Sequence, residues 1–125
     1  MATITGNLLQ GTKLNKGDEV VSNNGQFHLV LQALDGNLVL YDILRGEVGD
    51  PKAATWSSKT ADQGVQDVQL DQGNLSLTTG GLGGLRVVKQ SNSHGADNSF
   101  LAVQDDGNVV IYSPIWSTKA NPQGL

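Results

Sequence analysis

The sequence has no cysteine, three prolines, eight basic residues and no long apolar run. Without cysteine there is no disulfide framework, no thiolate metal site and no thiol nucleophile. Twelve acidic residues against eight basic ones leave a net charge of -4, and no basic cluster interrupts it. Nucleic-acid binding needs clustered positive charge against phosphates, and docking on anionic membranes needs the same, so neither is expected. No stretch has the length of apolar residues that crosses a bilayer, so membrane insertion is not expected either. The start, Met1-Ala2-Thr3-Ile4-Thr5-Gly6-Asn7, has neither a basic n-region nor an apolar h-region. No secretory signal is therefore read there, and the location stays open between the cytoplasm, export by a non-classical route, and a mature form preceded by an added methionine. Helical periodicity is missing too: no run of ten residues combines an apolar 3.6-residue period with caps at both ends.

What the chain does have is glycine, 16 residues of it, with asparagine and aspartate between short apolar bursts. Short alternating segments bounded by turn residues indicate an all-β fold. At 125 residues one domain over 1–125 is expected, large enough to bury a core without covalent staples. Comparing the chain with itself reveals three repeats. Asp35-Gly36-Asn37-Leu38-Val39-Leu40-Tyr41 aligns with Gln72-Gly73-Asn74-Leu75-Ser76-Leu77-Thr78 and with Asp106-Gly107-Asn108-Val109-Val110-Ile111-Tyr112. The apolar segments ahead of each turn also match, most clearly residues 27–32 with 99–104, and more weakly residues 65–69. Each repeat thus reads as a hairpin, with one extra turn residue expected in repeats one and two. Thr55-Trp56-Ser57-Ser58 and Ile115-Trp116-Ser117-Thr118 follow the first and third hairpins, and Val87-Val88-Lys89-Gln90 follows the second. Three units that each bury one face should pack around a common axis. Trp56, Trp116 and Val88 are expected to meet in that core. The connections differ in length: polar and long from Tyr41 to Trp56, glycine-rich in the middle repeat, and only Ser113-Pro114-Ile115 in the third.

The third hairpin carries the chemistry. Strand alternation sends Val109 and Ile111 one way and Asn108, Val110 and Tyr112 the other. Gln104 and Asp106 from the turn join the second set. An amide, a carboxylate, a second amide, an aliphatic surface and a phenol then share one face, donors and acceptors around a small apolar contact, as a sugar ring requires. An ordinary solvent-facing hairpin is the plainer reading. Repeat two shows that outcome: its outward positions are Gln72, Asn74, Ser76 and Thr78, while its inward leucines persist.

Other chemistry is weakly marked. The turn aspartates Asp35, Asp71, Asp105 and Asp106 have a conformational reason to be there. His28 and His94 have no partner visible in the sequence, so an enzyme is not expected. Asp105-Asp106-Gly107-Asn108 lacks the spacing and terminal glutamate of a calcium loop, and no metal or other cofactor is expected. Asn74-Leu75-Ser76 is a formal glycosylation sequon inside an expected strand.

Gln104-x-Asp106-x-Asn108-x-Val110-x-Tyr112 has the pattern Q-x-D-x-N-x-V-x-Y. With the repeats, Asn24-Gly25-Gln26-Phe27 and the Trp-Ser-Ser/Thr segments, nearly the whole chain resembles the bulb-type mannose-binding lectins of monocot plants. The resemblance implies a β-prism II, three four-stranded antiparallel sheets with pseudo-threefold symmetry. It also implies a shallow, metal-independent sugar site on each sheet that keeps the pattern. In such a site Asp106 and Asn108 would bind the axial 2-hydroxyl of mannose, Gln104 the 3-hydroxyl and Tyr112 the 4-hydroxyl, with Val110 against the ring carbons. Plant members carry a disulfide; this chain has none. Repeat one keeps Asp35, Asn37, Val39 and Tyr41, with Gln32 returning to the glutamine position if the extra turn residue bulges out, and a weakened second site is expected there. Repeat two is expected to be inactive. Mannose-rich glycans or glycoproteins are the expected partners, and a homodimer is the expected assembly, because single open sugar sites are weak and gain from multivalency. Exchange of the strand beyond Trp116 is one route to it. The alternative is a β-prism scaffold for protein interaction or toxin action, with little sugar binding.

Overall fold

The structure, a computed structural model, describes residues 1–80, 86–119 and 122–124. The centre of the glycine-rich connection and part of the C-terminal tail lie outside the described residues. Four short strands open the chain: β1 (Thr3–Thr5), β2 (Asn7–Leu9), β3 (Lys13–Asn15) and β4 (Glu19–Val21). Three hairpins follow. The first is β5 (Phe27–Leu31) with β6 (Leu38–Asp42), the second β8 (Asp67–Asp71) with β9 (Asn74–Thr78), and the third β11 (Phe100–Val103) with β12 (Val109–Tyr112). β7 (Ala54–Ser57) and β10 (Val87–Gln90) flank the first two. A single 3-10 turn, Pro51–Ala53, is the one helical piece among the described residues.

Gly6, Gly11 and Gly17 occupy the corners between the opening strands, with φ of +80°, +84° and +92°. That backbone region is open to glycine and costly for other residues. Each corner turns the chain onto a new sheet: β2 pairs with β11, β3 with β8 and β4 with β5. The strands ahead of the first hairpin therefore do not form a unit of their own: β2, β3 and β4 are dealt out one to each sheet, and β1 joins β4.

Three sheets result, ordered β1-β4-β5-β6-β7, β10-β9-β8-β3 and β12-β11-β2. This is a β-prism, but its sheets have five, four and three strands instead of four each. The first gains β1, which runs parallel to β4. The third has no strand outside β12 among the described residues, because residues 113–119 run on without strand structure.

Register exposes the threefold relation. Leu29, Val68 and Leu101 lie opposite Val20, Leu14 and Leu8 on one side, and opposite Leu40, Leu77 and Ile111 on the other. One turn further, Leu31, Leu70 and Val103 pair with Leu38, Leu75 and Val109. These side chains form one continuous core along the prism axis. Burying each is worth about 1.5–3 kcal/mol.

The register also moves three sequence assignments. The second hairpin starts at Asp67, with Val68 and Leu70 inward, so Asp71 stands where Gln32 and Gln104 stand. Its turn is Gln72-Gly73, with φ of +47° and +79°, a two-residue type I′ geometry. It is therefore tighter than the third turn, not longer; the buried but irregular Val65 had mimicked the strand pattern. Lys89, not Val88, takes the place of Trp56: Leu77 faces Lys89 as Leu40 faces Trp56, and a bulge between Val87 and Lys89 absorbs Val88. Lys89 Nζ then donates to the Ser58 carbonyl at 2.7 Å.

The tryptophans do not meet in the core. Trp56 is 50% exposed and Trp116 47%. Trp56 lines an open cavity of about 480 Å³ with Leu29, Leu38, Leu40, Val109 and Ile111. Among the described residues the third sheet has no strand outside β12, and Trp116 lies four residues beyond its end.

Leu101→Ala is expected to destabilise the fold by about 2–5 kcal/mol in urea unfolding, because it empties a position shared by two strand pairs. Leu34→Ala, at a residue 94% exposed, should change stability by less than about 0.5 kcal/mol.

Candidate functional site

The third turn is fixed before any ligand arrives. Gln104 N–H donates to the Asn108 carbonyl at 3.0 Å, and Gly107 N–H to the Gln104 carbonyl at 3.0 Å. The Asp106 carboxylate accepts from Asn108 N–H at 2.9 Å and from Gln104 Nε2 at 3.2 Å. The Tyr112 hydroxyl donates to Gln104 Oε1. Gln104 is thus gripped at both ends, by the turn aspartate and by the strand tyrosine. Val110 lies between them on the same face, half-buried. Of the five residues singled out in this repeat, Gln104, Asp106 and Tyr112 are joined by their side chains and Asn108 by its backbone N–H.

Neighbours that the pattern did not mark hold this surface in place. Asp105 accepts from Asn24 N–H at 2.9 Å, tying the turn to the loop before β5. The Ser22 hydroxyl donates to Asn24 Oδ1 at 2.7 Å and accepts from Phe27 N–H at 3.0 Å. A side chain at Gly107 would meet Phe27 Cζ at 2.8 Å. Phe100, opposite Tyr112 across the strands, holds its ring with centroids 5.4 Å apart. The alternation of Phe100 with the inward Leu101 is the sequence signal that could have found it.

Repeat one builds the same constellation. Asn37 N–H donates to Asp35 Oδ1 at 2.9 Å, Gln32 Nε2 to Asp35 at 3.1 Å, and the Tyr41 hydroxyl to Gln32 Oε1. Gln32 therefore holds the position that Gln104 holds in repeat three, with the extra residue taken up in the turn. The surroundings differ. Val39 and Tyr41 are each 4% exposed and form a small cluster with Ala53, which is fully buried. Burial pushes the Tyr41 phenol above its ordinary pKa, and the Asp35 carboxylate adds to the shift. The hydroxyl stays protonated and remains a donor.

Repeat two has lost the arrangement. Thr78 is buried and donates its hydroxyl to Asp67, while Gln72 turns away to reach Asp97 at 3.2 Å. The asparagine survives for a structural reason. Asn74 Oδ1 accepts from the Ser91 hydroxyl at 3.3 Å, as Asn37 Oδ1 accepts from Ser58 at 3.1 Å. The same serines receive the N–H groups of Leu75 and Leu38. Among the described residues no group of three His, Cys, Asp or Glu is arranged to hold a metal ion.

No family model matches the sequence, and no curated protein does. Solved structures do. A new form of lectin from garlic, Allium sativum, is 32% identical, with a TM-score of 0.68 over 90% of this chain and 99% of that one. The mannose-specific agglutinin from snowdrop bulbs, Galanthus nivalis, solved with methyl-α-D-mannoside, is 27% identical, with a TM-score of 0.70 over 90% of this chain and 94% of that one. A monomeric monocot mannose-binding lectin from Gastrodia elata is 28% identical, with a TM-score of 0.69 over 90% of this chain and 89% of that one.

Gly107→Ala is expected to cost about 1–3 kcal/mol of stability, because φ of +87° and the Phe27 ring both oppose a side chain. Urea unfolding measures the loss, and amide shifts over residues 104–112 should report the displaced turn.

Proposed function

The chain belongs to the bulb-type family of monocot mannose-binding lectins, and on that premise we propose that it binds mannose-containing glycans through the third repeat. The observation that carries this reading is that Asp106, Gln104 and Tyr112 are tied together by side-chain hydrogen bonds, with Asn108 N–H held by the same Asp106 carboxylate and Val110 on the outward side of the same strand. Asp106 and Asn108 meet the axial 2-hydroxyl of mannose. Gln104 meets the 3-hydroxyl, Tyr112 the 4-hydroxyl, and Val110 packs on the ring carbons. A carboxylate accepts strongly from a hydroxyl. The Asn108 amide can both donate and accept. Because Gln104 and Asp106 are held in place, little side-chain freedom is lost on binding. The 2-epimer leaves Asp106 and Asn108 unpaired and is disfavoured. The hydroxyls are met by protein groups without a bridging metal ion, and the outcome is binding, not catalysis.

The assembly we propose is a homodimer. In repeat one the Trp56 segment forms β7 and pairs with β6, placing Trp56 opposite Leu40. In repeat three the corresponding edge of β12 has no strand beside it among the described residues, while Ile115 and Trp116 are exposed. The segment around Trp116 of a second copy fits that edge. It would set Trp116 of the partner subunit opposite Ile111, above the open cavity.

Wild-type protein should bind methyl α-mannoside with a Kd on the order of millimolar, unaffected by EDTA. In ligand-observed NMR, Asp106→Ala should abolish the signal, and the glucoside should bind at least about tenfold more weakly than the mannoside. Retained binding by Asp106→Ala would refute the assignment. Light scattering should find a dimer that Trp116→Ala converts to monomer; a monodisperse wild-type monomer at high concentration would refute the assembly.

A further inference from the structure

Repeat one and repeat three carry the same five side-chain types with the same internal hydrogen bonds. They differ in what lies over them. Tyr112 is 44% exposed, whereas Tyr41 and Val39 are 4% exposed. Part of that difference is the flanking strand β7. Another part is Ala53, at the end of residues 43–53, which follow β6 and close in the 3-10 turn Pro51–Ala53.

That segment has a defined structure of its own. Asp50 caps the turn by accepting from Lys52 N–H at 3.1 Å, and Ala53 N–H closes it onto the Asp50 carbonyl at 2.9 Å. Asp50 N–H donates to the Glu47 carbonyl at 3.0 Å, and Lys52 Nζ lies 3.6 Å from Asp50. Ala53, fully buried, packs on Val39 and Tyr41 with Val30 and Ala54 beside it. A methyl group thus takes the apolar place that ring carbons would take at Val110. Repeat three has only Ser113, Pro114 and Ile115 between its tyrosine and its tryptophan, so no segment of that length is available there.

We propose that repeat one is a complete mannoside site held shut by the chain's own residues 43–53, which thereby set the number of working sites per chain. The proposal rests on the reading of repeat three as a mannoside site. If ring contact at Val39 and Tyr41 is all that is missing, displacing Ala53 opens the site without any change to Gln32, Asp35 or Asn37. The cover is held by the Ala53 contact, the short capped turn and a backbone bond from Ile43 N–H to the Gln26 carbonyl at 3.0 Å, with no disulfide behind it.

The test replaces residues 42–53 with Asn-Gly, a turn suited to joining Tyr41 directly to Ala54, in an Asp106→Ala background. Asp106→Ala alone should give no methyl α-mannoside signal in ligand-observed NMR. Adding the shortened turn should restore binding within about tenfold of the wild-type Kd, and a further Asp35→Ala should remove it. With Asp106 intact, the shortened protein should titrate with two sites per chain where wild type shows one. Ala53→Glu, which keeps the chain length but forces a charge into the buried contact, provides a second variant if the shortened one fails to fold. Folded variants that remain silent in the Asp106→Ala background, while wild type binds, overturn the covered site alone. Wild type that binds no mannoside overturns the function proposed for repeat three, and the covered site with it.

Discussion

A strand that sends Val109 and Ile111 into the core must send Asn108, Val110 and Tyr112 out of it. The same constraint governs Leu38 and Leu40 in the first hairpin and Leu75 and Leu77 in the second. Core and outward face are two sides of one strand in each repeat, so a one-residue slip would exchange them. The core fixes register by pairing each inward leucine, valine or isoleucine with a counterpart across the hairpin. The turn residues then have no choice of place: Asp106 and Asp35 each accept from the N–H two residues further on, and each is itself reached by the glutamine before the turn.

Within this frame the three outward faces differ. The inward positions keep their aliphatic character in all three repeats because the axis needs filling from three sides. The outward positions are not bound by that need. Repeat three keeps them open, repeat one keeps them under Ala53, and repeat two has turned them into buried and surface hydrogen bonds around Asp67 and Asp97. The asparagine remains in all three; in repeats one and two its carbonyl oxygen accepts from a serine that also caps the next N–H. One amide therefore has a structural half and a half that can face a ligand.

The hairpins, the inward pairs and the third face were legible in the sequence because each rests on local periodicity and on turn residues with strong backbone preferences. Gln32 could be placed for the same reason, since its strand determined its direction. The second hairpin was misaligned because Val65, buried though outside the strand, extends the apolar pattern two residues too early. The bulge at Val88 was hidden because an extra residue changes pairing without changing composition. Three features depend on contacts between distant segments and leave no periodic trace: the dealing of the opening strands among three sheets, the exposure of both tryptophans, and the packing of Ala53 on Tyr41.

The path of the first residues also dictates an order of events. β2 finds its partner only in β11, so Leu8 waits for Leu101, nearly the length of the chain away. β3 waits for β8, and only β4 has a near neighbour in β5. Such distant pairings carry a large loop-closure entropy and slow folding. During synthesis β2, which completes the third sheet, is made long before its partner β11. The face that carries Gln104 and Tyr112 therefore takes shape only when the carboxy-terminal hairpin emerges, and a chain stopped short of it leaves the opening strand with an unsatisfied edge.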